Sequence, residues 1–183
     1  MEDRNRKFEK NDIQHARARV RVRGVEIEVS STGEKAPALH LAHLGIESLE
    51  EIEGLEDILA LHQLDLAYNK IWRFPSDSGY ESRLPCLRYV EWLDLSNNKL
   101  SKIDWFHLVR NVRVLLLHGN SDIQPDQLCE DVKALEHLIF LTYTRDGRTK
   151  ARFFRTAIKS SERVPESGLN ASISANDEWF NDI

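Results

Sequence analysis

The sequence predicts an α/β solenoid: about five short repeats, a parallel sheet on the concave face, an N-terminal β-hairpin cap and a C-terminal helical cap. Three observations predict it. Apolar residues recur in the frame L-x-x-L-x-L-x-x-N-x-L-x-x-L, filled by Val90, Leu93, Leu95, Asn98, Leu100 and Ile103. The frame restarts 22 residues on, with Val112, Leu115, Leu117 and Asn120. On either side of these copies the periodicity and the charge change, as the ends of a stack do.

The L-x-L core of each copy is a short strand of period two. Its leucines point to one face and the residue between them to the other. One such strand cannot bury its apolar face alone, so it stacks on its copies. The Asn follows where the chain turns away. Its amide donates and accepts, so it can satisfy backbone groups beyond the reach of the ladder. Five frames are expected. The first runs Ala36, Leu39, Leu41, Leu44, Ile46, Leu49, and the second Leu61, Leu64, Leu66, Asn69, Ile71, Phe74. The two already quoted are the third and fourth, and the fifth is Leu135, Leu138, Phe140, Tyr143. Asn69, Asn98 and Asn120 form the expected asparagine ladder. In the fourth frame Asp122 takes an apolar slot and Ile123 follows it, which points to one inserted residue.

Outside the frames, residues 1–17 read as a flexible charged arm. Residues 18–35 read as the hairpin cap and its linker. In RVRVRGVEIEV, a turn at Arg23-Gly24 would set Val22 opposite Val25, Arg21 opposite Glu26, Val20 opposite Ile27 and Arg19 opposite Glu28. Residues 36–144 are the repeat domain, with an acidic helical turn carrying Ile52, Leu55 and Ile58 inward. A long return after Phe74 contains Pro75, Gly79 and Pro85. Residues 145–163 are expected as a basic cap, with an Asp146-Gly147 turn and then a helix using Phe153, Phe154 and Ile158. Residues 164–183 are polar and acidic and are expected to be disordered, broken only by Trp179, Phe180 and Ile183.

The chain has 183 residues and a net charge of −5, ordinary for one soluble domain with extensions. No run of about 18 apolar residues predicts a membrane span. MEDRNRKFEK lacks the apolar core of a signal peptide. Cys86 and Cys129 have no metal or redox spacing and read as free thiols in a reducing compartment. The body is acidic and both flanks, 1–23 and 145–163, are basic.

Chemistry of the catalytic kinds finds little support. His40, His43 and His62 invite a metal, but no acidic or Cys ligand has a fixed spacing to them, so no metal or other cofactor is expected. Asp65 and Asp94 share one strand slot in adjacent repeats. A shallow sheet does not exclude water from such a pair, so acid–base catalysis is not expected. No phosphate loop or nucleophile elbow is present, and no small-molecule ligand is expected.

Binding residues are read from the slots that project away from the strand leucines. In the first two repeats these are small or polar. In the last three they include Trp92, Val114, Leu116, Ile139 and Leu141, with His118, Asp94 and Asp65 beside them. A contiguous apolar patch on a concave face marks a protein interface, and Trp is enriched at hot spots. The competing reading is a cover formed by the chain's own C-terminal segment.

WLDLSNNKL and LLLHGNS resemble segments of the intracellular short-repeat leucine-rich repeat family. The likeness is in particular to its small cilium-associated members. It covers roughly residues 36–141, and the repeat period is in the range of that family. Where the family usually has L-x-G-N-P, this chain has LIFLTYTRDG, and RFFR is the candidate for its aromatic-Arg cap. The resemblance implies a non-enzymatic protein–protein scaffold in the cytoplasm, as a component of a ciliary or flagellar axoneme. Its partners would be axonemal or microtubule-associated proteins. Other members imply two alternatives: a nuclear ribonucleoprotein subunit like the U2 A-prime protein, with Arg17, Arg19, Arg21 and Arg23 touching RNA, or a protein phosphatase regulator.

Overall fold

The computed structural model describes residues 18–30, 37–58, 60–74 and 84–154. The charged arm, most of the linker, residues 75–83 of the long return, the expected helix from 155 onward and the acidic tail lie outside the described residues.

Alternating Arg and Val open the described chain as a hairpin of β1 (Arg19–Val22) and β2 (Val25–Glu28). Arg19 pairs with Glu28, Val20 with Ile27, Arg21 with Glu26 and Val22 with Val25. Arg23 and Gly24 both have positive φ, +50° and +82°, as a two-residue turn of the primed type requires. Arg21 lies 3.1 Å from Glu26, and Arg19 lies 3.3 Å from Glu28. These groups are about half exposed, so each pair adds between about 0 and 1 kcal/mol. Burial of Val20 and Val22 contributes more. Val25 instead faces solvent. On its other side β1 pairs with β4 (Ile52–Glu53).

The main sheet has the order β3-β5-β6-β7-β8-β9. β3 (Ala38–His40), β5 (Gln63–Asp65), β6 (Trp92–Asp94), β7 (Val114–Leu116) and β8 (Phe140–Arg145) run parallel. β9 (Arg148–Phe153) returns antiparallel to β8. Register places Leu39, Leu64, Leu93, Leu115 and Leu141 side by side, all with no exposure. Each leucine so buried contributes about 1.5–3 kcal/mol. Between strands the chain returns through short 3-10 turns, and before β8 through α1 (Pro125–Asp131). Ile52, Leu55 and Ile58 point into the core from the first return, and Ile123, not Asp122, is buried in the fourth. Cys86 is buried too, with its sulfur 3.6 Å from the Leu55 carbonyl oxygen.

Each frame asparagine ties its own repeat to the one before it. Asn98 Nδ2 donates to the carbonyls of Leu95 at 3.1 Å and Leu66 at 2.9 Å, while its Oδ1 accepts from the Ile71 amide at 2.9 Å. Asn69 donates to Leu41 and Leu66 and accepts from the amides of Leu44 and Ile46. Asn120 donates to Leu95 and Leu117 and accepts from Leu100. One residue before that slot, the chain adopts positive φ in each of the first four repeats: His43 at +62°, Tyr68 at +55°, Asn97 at +54° and Gly119 at +78°. Gly119 has a second reason to be glycine, because a Cβ there would lie 2.9 Å from the Asn97 Cα.

Two expectations about the C-terminal part are corrected. In the fifth frame, Leu141 pairs with Leu115 and Tyr143 follows in the core, so the frame runs Leu138, Leu141, Tyr143. It is offset by three residues from the expected one. An odd offset exchanges the two faces of a strand, so Phe140 and Thr142 point where Ile139 and Leu141 were expected. Second, Arg148–Phe153 is a strand and not a helix. Positive φ at Asp146 and Gly147, +52° and +68°, closes a tight hairpin that sends the chain straight back along β8.

Candidate protein-binding face

The sheet face turned away from the leucine core is a grid fixed by the strand registers. Gln63, Trp92, Val114, Phe140 and Phe153 form its first row. His40, Asp65, Asp94, Leu116, Thr142 and Ala151 form the second. Ser96 and His118 continue their strands beyond it.

Toward β9 the grid is apolar. Trp92, Val114 and Leu116 are partly buried. Phe140 is buried, its ring tilted against Phe153 at 4.6 Å between centroids, and Phe153 stays 47 % exposed. Neighbouring strands lie about 4.8 Å apart, so the row from Trp92 to Phe153 spans roughly 15 Å.

Toward β3 the grid is polar. Asp65 Oδ1 accepts from the Ala67 amide at 3.0 Å, and Asp94 Oδ1 accepts from the Ser96 amide at 2.8 Å. Each aspartate thus folds one oxygen back on its own strand. Asp65 Oδ2 lies 3.6 Å from His40 Nδ1. Burial pushes the Asp94 carboxyl up and its Asp65 neighbour adds to this, against the hydrogen bonds from Ser96. Burial pushes the His118 imidazole down, with the Asp94 charge opposing. His118 Nδ1 is 2.8 Å from Thr142 Oγ1.

Of the residues named from the sequence, Trp92, Val114, Leu116, Asp65, Asp94 and His118 share this face. Leu141 does not, because it is in the core. Ile139 also leaves it. Its amide meets the Arg113 carbonyl at the edge of the sheet, before β8 begins. Phe140 and Phe153 take their place. Sequence reasoning missed both, and the available signal was the Asp146-Gly147 turn, which pairs them directly. It also missed the stacked rings of His43 and Tyr68, 4.5 Å apart.

His62 and Glu91, 3.9 Å apart, line a shallow depression of about 450 Å³ at the sheet edge, open to water. Among the described residues no group of three or more His, Cys, Asp or Glu is placed to hold a metal ion. No described helix is long and apolar enough to cross a membrane.

The Leucine Rich Repeat family model matches residues 89–108, which include β6, Asn98 and the return after it. No curated protein and no solved structure matches the chain. The family match supports a leucine-rich repeat protein. Such domains are generally non-catalytic modules that bind other proteins.

Proposed function

We propose that the protein is a non-catalytic scaffold, a leucine-rich solenoid of about five repeats that holds a protein partner on the open face of its sheet. The observation that carries this is the unbroken apolar row Trp92–Val114–Phe140–Phe153, with Leu116 beside it, on the face that the leucine core does not use. Solvated strand positions do not gather aliphatic and aromatic side chains without a surface to meet. Asp65, Asp94 and His118 border the row and fix the orientation of what docks there. The setting we propose is a ciliary or flagellar axoneme, on the likeness of WLDLSNNKL and LLLHGNS to cilium-associated family members.

A photo-cross-linking residue placed at Leu116 is expected to capture a protein that the same residue at Glu130, off this face, does not. Equal capture at both positions would defeat the reading. A tagged copy should concentrate in the cilium, and a diffuse signal would remove that setting. The protein-binding reading is favoured over the RNA-binding alternative because Arg19, Arg21 and Arg23 each already face a carboxylate.

A further inference from the structure

β9 is the last strand of the main sheet, and among the described residues no strand lies beyond it. The direction of its main-chain groups follows from its neighbours. The Leu117 amide donates to the Thr142 carbonyl, so Thr142 addresses β7. By alternation Leu141, Tyr143 and Arg145 address β9, where their partners are Arg152, Lys150 and Arg148. Thr149, Ala151 and Phe153 therefore turn their N–H and C=O groups outward. Three consecutive rungs stand ready to accept another strand.

We propose that this edge is a second binding site, distinct from the open face, and that it takes an acidic extended segment of a partner as an added antiparallel strand. The side chains choose the occupant. Arg148 and Arg152 lie on one face of β9, and an added strand would set its own residues directly opposite them in the closer type of pair. Acidic residues at alternate positions fit that row. The protein already builds this arrangement once, in β1 and β2, where Arg19 and Arg21 meet Glu28 and Glu26 at 3.3 Å and 3.1 Å. A second copy of β9 is disfavoured by the same charges, since antiparallel self-pairing would set Arg148 of each copy opposite Arg152 of the other. On the other face of β9, Phe153 ends the apolar row, so the segment should carry an apolar side chain beside it.

The test uses the full chain and a defined probe: a fluorescent, end-capped heptapeptide alternating valine with glutamate. Saturable binding at low salt is expected, with NMR shifts at the amides of Thr149, Ala151 and Phe153. A peptide N-methylated at alternate amides keeps its charge but cannot form the ladder, and should bind about tenfold more weakly or worse. Ala151→Pro removes an outward N–H without touching the β8 ladder and should also abolish binding. If that variant fails to fold, the N-methylated peptide on the unaltered chain still decides. Trp92→Ala should leave this binding intact, which separates it from the open-face reading. Three results would overturn the proposal. They are equal binding of the methylated peptide, no binding to the full chain because its own segment occupies the edge, and a dimer that Ala151→Pro dissolves.

Discussion

Asn97 and Asn98 are adjacent and chemically the same, yet the fold uses them differently. Asn98 is buried and bonds to the backbone of two repeats. Replacing it by leucine strands those carbonyls and the Ile71 amide, at a cost of about 1–3 kcal/mol or more. Asn97 has no such bonds to lose, but its φ of +54° penalises leucine by about 1–2 kcal/mol for a different reason. Asn97→Gly is therefore the proper control. Urea melts should show a large loss for Asn98→Leu and almost none for Asn97→Gly. Asp94 gives a second test at this scale. Burial raises its pKa in the folded chain, so the folded state holds that proton more tightly than the unfolded one does. Its ionisation therefore lowers stability as pH rises through the carboxylate range, the opposite of a salt-bridged aspartate. Asp94→Asn keeps an acceptor for the Ser96 amide and removes the charge. Its melting temperature should exceed that of the parent near pH 7, and the two should converge below about pH 3. The side chain of His118 has the reverse leaning. Its lowered pKa favours the fold above about pH 6.5 and loses that contribution as pH falls.

Repeats three and four were legible down to single residues, because Asn98 and Asn120 punctuate the frame. The fifth strand was not. Leu135, Leu138, Phe140 and Tyr143 fit the apolar spacing as well as Leu138, Leu141 and Tyr143 do, and no asparagine chooses between them. Only pairing with β7 does, by putting Leu141 against Leu115. Arg148–Phe153 is a strand where the sequence suggests a helix, for a related reason. RTKARFFR alternates as a strand does, but Phe154 and Ile158 also stand four apart, as residues on one face of a helix do. The corrected frame makes a sharp prediction. Leu141→Ala, like Leu93→Ala and Leu117→Ala, should destabilise the protein by about 2–5 kcal/mol. Trp92→Ala and Leu116→Ala, on the other side of the same sheet, should cost about 1 kcal/mol or less while weakening partner capture. Thermal melts of the five variants check this. A Trp92→Ala loss as large as that of Leu93→Ala would mean that the chain covers its own face.

Across the whole molecule the sheet grows by neighbour contacts alone, in the order β3-β5-β6-β7-β8-β9. The stability of a strand then depends on having a neighbour on each side. β5, β6 and β7 have two parallel neighbours each, whereas β2 and β9 end their sheets. Hydrogen exchange should rank accordingly, with the core leucine amides of Leu64, Leu93 and Leu115 slowest and the amides of β2 and of Thr149, Ala151 and Phe153 fastest. Uniform protection along the sheet would contradict this account.

The thiol of Cys86 makes these openings countable. It is buried beneath the second return, and burial pushes its pKa up to about 11. It is the thiolate that attacks a thiol reagent, so in the closed protein Cys86 lacks both access and the reactive form. Cys129 is partly exposed. One equivalent of reagent should therefore be consumed promptly at Cys129 and the second only at the pace at which the middle of the stack parts. The slow phase reads the lifetime of the native packing directly, without denaturant and without an added probe.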